Sequence, residues 1–212
     1  MPVPPAALQE RSRRTQRAIL DAGTRLLEEQ GPEALTIAAV SALADVAGAT
    51  VYRRFGDKDG LLAAIQAEFT DGFRAEYGRR LSGAELPADA AAADAVRLAV
   101  RGLAETFRAH QRLLRVFAVL GLRDERVFAV GARASQEGGR HFRDMLWPYR
   151  DDFTSSDPET SIDMAYRFAY AALTHRVLNG ANLESPTQLG WKQLTDELCR
   201  AAVLYLLGSE PA

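Results

Sequence analysis

The spacing of apolar residues is helical along almost the whole chain, and this periodicity restricts the fold more than any other feature. Ile19, Leu20, Leu26 and Leu27 lie at intervals that place them on one face of a helix. No segment alternates β-branched and aromatic residues in the manner of a strand. The 212 residues are enough for one or two domains with a buried core. The sequence therefore predicts an all-α protein.

Two short helices are predicted between two longer ones in the first part of the chain. Gly31-Pro32 ends the first helix, because glycine and proline both interrupt helices. Thr36 and Asp57 stand where a side-chain oxygen caps the start of a helix. The helices that follow Gly31-Pro32 are predicted over 36–44, from about 47 to 54, and from 58 to about 81.

A segment rich in small residues and proline, over 82–89, predicts a linker between two domains. Beyond it, Asp157-Pro158 and Ser185-Pro186 mark the starts of the last two helices. The helices predicted after the linker cover 90–109, 111–120, 124–147, 158–178 and 186–208.

Composition and missing motifs exclude several classes of protein. The apolar fraction of 47% and the net charge of −2 are ordinary for a globular protein and argue against a protein that coats nucleic acid by bulk charge. No run approaches about 18 apolar residues, and no signal-peptide pattern opens the chain, so no membrane span is expected. The single cysteine, Cys199, indicates a cytoplasmic protein. Motifs for nucleotide binding, hydrolysis and metal binding are missing, so the sequence predicts neither an enzyme nor a cofactor or metal.

Residues 36–58, TIAAVSALADVAGATVYRRFGDK, carry the motif that predicts function. The segment resembles the helix-turn-helix of the TetR family of transcriptional regulators, and it keeps that spacing without a gap. The matching positions are Thr36, Val40-Ser41, Asp45-Val46-Ala47, Thr50-Val51-Tyr52, Arg54-Phe55 and Lys58, with Ile19-Leu20, Ala22, Leu26-Leu27, Gly31 and Leu61-Leu62 around them.

The resemblance implies two domains. Residues 13–73 form a three-helix DNA-binding domain with a helix-turn-helix over 36–55, and residues 83–212 form a helical domain that binds an effector and dimerises. Asp45 stands where the family usually has glycine, so we expect a positive φ there. Ala47 replaces the usual serine or threonine and leaves the second helix without a side-chain cap.

The second helix of such a motif enters the major groove, where base edges are distinguishable. Ala47, Ala49 and Thr50 offer methyl groups to thymine, and the small Gly48 permits close approach. Arg53 is placed to bind either guanine or phosphate. By resemblance, Thr50, Tyr52, Arg54 and Lys58 contact the DNA backbone, and the helix start at Thr36 holds a phosphate through its N–H groups.

Alternatives remain open for some of these residues. Tyr52 and Phe55 are equally explained as core residues. Arg11, Arg13 and Arg14 form either an arm that binds DNA or a solvated helix face. For the whole chain, the alternatives to a regulator are a helical ligand-binding protein that no longer regulates transcription and an α-helical enzyme.

By resemblance, the second domain encloses a pocket for a small apolar or aromatic effector. Aromatic residues there are explained either as pocket lining or as core, and His110, Arg115, His141 and His175 are the candidate polar groups. The predicted lining is Phe73, Tyr77, Phe107, His110, Phe117, Phe142, Trp147, Tyr166 and Tyr170.

The last helix is apolar on two faces and therefore needs two partners. The second partner is either another part of the same chain or a second copy of it. The two apolar stripes are Leu194, Leu198, Ala201, Ala202 and Tyr205, and Cys199, Val203, Leu206 and Leu207. A second copy of the chain is the expected partner, so the sequence predicts a homodimer that binds a palindromic operator on double-stranded DNA. The predicted interface residues are Tyr170, Leu173, Val177, Leu194, Leu198, Ala202 and Tyr205.

Overall fold

The computed structural model describes residues 5–83, 86, 90–181 and 185–208, with side chains from Gln9 onward. Within these residues the chain is helical and contains no strand, as the periodicity predicts. The α-helices are α1 (Pro5–Gln30), α2 (Ile37–Leu43), α3 (Gly48–Phe55), α4 (Lys58–Gly83), α5 (Ala92–Ala109), α6 (Gln111–Gly121), α7 (Glu125–Leu146), α8 (Pro158–Asn179) and α9 (Trp191–Leu207). Short 3₁₀ helices cover Pro32–Ala34 and Trp147–Asp152.

The chain divides into two compact units. Unit 1 comprises Met1–Thr70 and Val116–Val130, and unit 2 comprises Asp71–Arg115 and Gly131–Ala212. No helix among the described residues combines the length and apolar character needed to cross a membrane.

Unit 1 includes a segment that the sequence placed in the second domain. Val116–Val130 belongs to unit 1 because the buried Gln66 amide donates to the Val127 carbonyl over 2.8 Å. The rings of Phe69 and Phe117 also stack with centroids 5.4 Å apart. The linker predicted over 82–89 lies partly within α4, which continues to Gly83, and partly outside the described residues.

A small apolar core joins the helices of unit 1. Ile19 and Leu27 on α1, Val40 on α2 and Val51 on α3 are almost fully buried. Apolar residues at helical spacing therefore pack the two short helices against the longer ones, which stabilises helices too short to form alone.

Unit 2 is built around α5, which packs against both α8 and α9. Alanine and valine occupy much of the buried face of α5 and allow close packing. Ile162, Ala169 and Leu173 on α8 are fully buried in this core.

The prediction for the start of the last helix was wrong. Helix α9 begins at Trp191, after Gly190 in extended conformation, and not at Ser185-Pro186. The Ser185 hydroxyl accepts a hydrogen bond from the Thr187 amide over 3.1 Å, and the Arg176 guanidinium donates to the Leu189 carbonyl. These contacts hold a turn in place of the predicted first helical turns.

Gly60 provides a test of the packing that joins α3 to α4. A Cβ at Gly60 would lie 2.0 Å from the Phe55 carbonyl oxygen, whereas a Cβ at Gly72, on the same helix, meets nothing within 4 Å. We expect Gly60→Ala to lower the free energy of unfolding by about 3 kcal/mol. Gly72→Ala, the matched control, should raise it by about 0.5–1 kcal/mol. Urea unfolding followed by circular dichroism measures both, and equal stabilities would contradict the close approach.

Candidate nucleic-acid interface and effector site

A single left-handed residue makes the turn between α2 and α3. Asp45 has φ 52°, and it is the one residue other than glycine with positive φ among those described. The Val46 amide donates to the Ser41 carbonyl over 3.0 Å and closes the turn. The positive φ expected at Asp45 is confirmed, because aspartate tolerates this conformation better than most residues.

The two short helices begin differently. The Thr36 hydroxyl accepts a hydrogen bond from the Ala39 amide over 3.1 Å, so Thr36 caps α2 as predicted. Ala47 occupies the cap position of α3 in extended conformation without a side-chain hydrogen bond. The missing cap predicted for α3 is therefore confirmed.

The exposed face of α3 carries the residues predicted to bind bases. Val51 alone is buried among the residues of α3, which leaves Ala49 and Arg53 exposed and Thr50 half-buried. Tyr52 is 56% exposed, which removes the alternative that it is a core residue. Phe55 is half-buried. The side chain of Arg53 forms no ion pair with other described residues and remains available to a ligand.

Two cations follow at the end of α3 and the start of α4. The half-buried Arg54 donates from Nη2 to the Ser12 hydroxyl over 2.9 Å, a contact that the sequence did not predict. The exposed Lys58 donates from Nζ to the Pro32 carbonyl over 3.3 Å. The Arg54 contact ties the end of α3 to the basic first part of α1.

The basic first part of α1 is helical and exposed. Arg11, Arg13 and Arg14 are all exposed there. Arg17 instead forms an ion pair with Glu68 over 2.8 Å, within unit 1. Only the first three arginines therefore remain candidates for contact with DNA.

Five of the predicted effector residues form one continuous row of rings in unit 2. Ring centroids are 5.6 Å apart for Phe73–Phe107, 5.3 Å for Phe107–Tyr170, and 5.6 Å for both Tyr170–Tyr166 and Tyr166–Phe142. Such distances are typical of aromatic packing. The His110 ring lies 5.7 Å from Phe73, at the end of the row.

Several predicted lining residues lie in the core or elsewhere. Tyr77, Phe107 and Phe142 are packed in the core of unit 2 with almost no exposed surface. Phe117 lies in unit 1. Trp147 is 39% exposed, and the guanidinium carbons of Arg143 and Arg150 lie 5.9 and 5.2 Å from its ring centroid.

A cleft of about 830 Å³ lies between α7 and α8 of unit 2, and we call it the α7–α8 cleft. Of the predicted lining residues, Tyr166 and Tyr170 contribute to it. The remaining lining is polar and was not predicted: it consists of Ser135, Gln136, Gly139, Arg140, Arg143, Glu159, Thr160, Asp163 and Arg167.

Tyr166 is held firmly at the side of this cleft. Its hydroxyl donates to the Ser135 carbonyl over 2.7 Å, and burial raises its pKa well above the usual value. A Cβ at Gly138 would lie 2.8 Å from the Tyr166 hydroxyl oxygen, and one at Gly139 would lie 3.2 Å from the ring. The glycine pair therefore makes close approach of α8 to α7 possible.

A second polar group joins α4 to α5 in unit 2. Glu76 accepts hydrogen bonds from Arg80 over 2.6 Å and lies 2.7 Å from His110 Nε2. Arg80 also contacts Glu105 over 2.6 Å. Burial tends to raise the pKa of Glu76, but the hydrogen bonds from Arg80 and His110 outweigh it and hold that pKa below its ordinary value of 4.5.

The other candidate polar groups are dispersed. His141 is exposed and lines a separate cleft between α4 and α7, His175 is half-buried on α8, and Arg115 is exposed on α6. Cys199 is buried, and burial raises the pKa of its thiol to about 11, which fits a packing role. No cluster of potential metal ligands occurs within the described ranges.

Most residues predicted for a dimer interface lie in the core of unit 2. Leu173 and Ala202 are 0% exposed within their own chain, and Val177 and Leu198 are nearly as buried. Helix α5 covers the buried faces of α8 and α9. The apolar pattern of a helix alone does not reveal this contact, because α5 is distant from both helices in the sequence. Leu194 and Tyr170 are half-buried, and Tyr205 is 47% exposed.

The exposed apolar surface of α8 and α9 uses different positions. Met164 and Leu204 are exposed large apolar residues on these helices. The Tyr205 ring packs edge-on against Phe168 with centroids 5.6 Å apart. We call these four residues the α8–α9 apolar face.

Comparison with known proteins agrees with the helix-turn-helix geometry. The model of bacterial regulatory proteins of the tetR family matches residues 19–65, which include α2 and α3. No curated protein matches the chain.

Solved structures share the fold over most of the chain. A bacterial regulatory protein of the tetR family from Rhodococcus RHA1 is 19% identical, with TM-score 0.66, 91% of this chain covered and 96% of that one. GusR of Salmonella enterica is 15% identical, with TM-score 0.66 and coverage of 91% and 95%. The fatty acid degradation regulator FadR from Bacillus halodurans is 16% identical, with TM-score 0.64 and coverage of 93% and 97%. At these identities the likeness shows a common fold.

The missing cap of α3 generates a prediction for stability. A serine hydroxyl at position 47 would supply the acceptor that Ala47 lacks, so Ala47→Ser should raise the free energy of unfolding by about 1 kcal/mol. Ala49→Ser, inside α3, introduces the same group where it caps nothing and should not stabilise. Urea unfolding measures both variants, and a gain from Ala47→Ser no larger than that from Ala49→Ser would contradict the assigned cap.

The lowered pKa of Glu76 generates a prediction for pH. A carboxylate with a depressed folded-state pKa stabilises the fold above its unfolded pKa, and this stability is lost as pH falls through the folded value. Glu76→Gln should therefore flatten the decline in unfolding free energy below about pH 4.5. Glu28→Gln, at an exposed position of α1, should leave the profile unchanged. Denaturant unfolding across about pH 3–7 provides the comparison; overlapping profiles for Glu76→Gln and wild type would disprove the assignment.

Proposed function

We propose that this chain is a member of the TetR family of bacterial regulatory proteins and acts as a homodimeric repressor that a small-molecule effector releases from a palindromic operator. One observation carries the DNA-binding part: α3 follows a left-handed turn at Asp45 and presents an exposed face that bears Arg53. A helix held in this way can enter the major groove, where each base pair presents a distinct pattern.

The exposed face of α3 suits direct contact with bases. Ala47, Ala49 and Thr50 offer methyl groups to thymine, and Gly48 leaves room for the approach. Arg53 forms no ion pair among the described residues, so its guanidinium is available to bind guanine O6 and N7. Arg53 is therefore the residue that we assign to base recognition.

We assign contacts with the DNA backbone to the residues around α3. Thr36 and Lys58 stand at the starts of α2 and α4, where N–H groups and a positive charge favour phosphate. Tyr52 exposes its ring and hydroxyl beside Arg53. Arg54, through Ser12, holds the basic start of α1 next to the end of α3, so Arg11, Arg13 and Arg14 extend the same positively charged surface.

The α8–α9 apolar face supports the homodimer. Four large apolar residues retain exposed or half-exposed surface there, which is typical of a surface that associates. A two-fold dimer presents two copies of α3, so the operator should contain two half-sites about 34–36 Å apart.

Repression follows from a dimer that occupies a promoter and blocks polymerase. We consider two dimer geometries, one that fits the operator and one that does not. An effector that binds unit 2 more tightly in the second geometry lowers the affinity for DNA by the difference between its binding free energies in the two geometries. DNA then weakens effector binding by the same factor, because the coupling is reciprocal.

The decisive experiment is a selection of random double-stranded DNA on the purified full-length protein at about 150 mM salt. An enriched palindrome with half-sites one helical turn apart is the expected result. Before selection the protein is unfolded and refolded, which removes any effector carried over from expression. A folded dimer that enriches no sequence after this treatment would overturn the proposal.

Lys58 tests the backbone contacts. Lys58→Ala should weaken binding to the selected site and to random DNA alike, and it should flatten the slope of log K against log salt by about one unit. Lys192→Ala removes the same charge from α9 of unit 2 and should change neither. Fluorescence anisotropy at several salt concentrations measures the slopes; a slope unchanged by Lys58→Ala would remove Lys58 from the phosphate contacts.

A further inference from the structure

The α7–α8 cleft has a lining that differs from the apolar pocket expected from the sequence. We propose that this cleft binds a small aromatic carboxylate, with the ring against Tyr166 and Tyr170 and the carboxylate on Arg140. The assignment of this ligand as the effector rests on the proposed function, whereas the binding site stands on the geometry of unit 2 alone.

The half-buried Tyr170 and the small exposed part of Tyr166, which is 7% exposed, provide a rigid surface for an aromatic ring. Their ring centroids lie 5.6 Å apart with the planes inclined at 41°. Tyr166 is fixed by its hydrogen bond to Ser135 and by the glycine pair beneath its ring. Tyr170 is fixed by edge-on packing at 90° against the buried Phe107. A planar ligand therefore meets a surface that loses little conformational entropy on binding.

Of the three arginines in the cleft, Arg140 makes the fewest hydrogen bonds to carboxylates. Its nearest carboxylate oxygen, Glu137 Oε1, lies 3.8 Å from Nη2, which is beyond hydrogen-bond distance. The other oxygen of Glu137 is bound by Arg74. A ligand carboxylate would supply the planar, paired acceptors that match a guanidinium.

The remaining charges of the cleft favour an anion over a cation. Arg143 lies 3.4 Å from Glu159, and Arg167 lies 2.5 Å from Asp163. Both carboxylates that line the cleft are therefore paired, and a cationic ligand would have to break an ion pair to reach one. Arg140 is the third arginine of the lining, and its ion pair with Glu137 is long, at 3.8 Å, because Glu137 is shared with Arg74.

An uncharged apolar ligand fits this lining less well. Such a ligand would return no hydrogen bond to the guanidinium of Arg140. The apolar space beyond the tyrosines is already filled, because Phe107 and Phe142 are packed with almost no exposed surface. The volume of about 830 Å³ is nevertheless within the range of sites that bind small molecules.

Isothermal titration of the full-length protein, without DNA, tests the site with two matched probes. 3-Phenylpropanoate carries a carboxylate, and 3-phenylpropanamide has the same shape without the charge. We expect the carboxylate to bind up to about fivefold more tightly than the amide, because an ion pair with a largely exposed arginine contributes at most about 1 kcal/mol.

Two variants locate the carboxylate. Arg140→Gln should abolish the preference for the carboxylate over the amide. Arg108→Gln removes the same charge from an exposed position at the end of α5, outside the cleft, and should retain the preference. Thermal unfolding confirms that both variants fold, which is expected because the Arg140 side chain is 65% exposed.

Three results would overturn the proposal: no binding of the carboxylate, equal binding of both probes, or an unchanged preference in Arg140→Gln. The DNA selection is carried out separately and distinguishes the two proposals. If the protein binds the carboxylate but enriches no DNA sequence, the proposed carboxylate site is supported and the proposed regulatory function is contradicted. If the protein enriches a palindrome but does not bind the carboxylate, the proposed regulatory function is supported and the proposed carboxylate site is contradicted.

Discussion

The left-handed backbone at Asp45 is the constraint on which the rest of unit 1 depends. A residue with φ 52° reverses the chain within a few residues and lets α3 follow α2 directly. Burial of Val51 then anchors α3 by one side chain, and the opposite face remains exposed. A helix of eight residues is too short to be stable alone, so the core beneath Val51 and the contacts at both ends of α3 hold it in place. Because so little of α3 is buried, Tyr52 and Arg53 remain exposed.

Unit 2 brings five of the predicted aromatic residues together by close packing. The aromatic residues expected to line an internal cavity do meet, but they meet as a packed row of rings. The available space lies at the side of this row, where the Gly138–Gly139 pair lets Tyr166 approach α7. The cleft is lined by two tyrosines and three arginines, which suits the aromatic carboxylate that we propose for it.

The sequence predicted the elements that depend on local chemistry. Three local predictions are confirmed: the cap at Thr36, the positive φ of Asp45 and the missing cap of α3. Each concerns one residue and its neighbours within four positions, so the residue types alone are enough to predict it. The start of α9 at Trp191 was missed because Ser185 and Arg176 make side-chain contacts that compete with the helix. The proposed site residues remain predictions that the DNA and ligand experiments test.

By itself, the sequence determined an all-α protein with a TetR-type helix-turn-helix, because periodicity, caps and motif spacing are local properties. Only the tertiary structure decided that Val116–Val130 joins unit 1, that Leu173 and Ala202 are core residues, and that Arg54 contacts Ser12. Each of these three results depends on which parts of the chain pack against one another. An amphipathic pattern states that a face must be covered, but the partner is selected by packing between residues far apart in the chain.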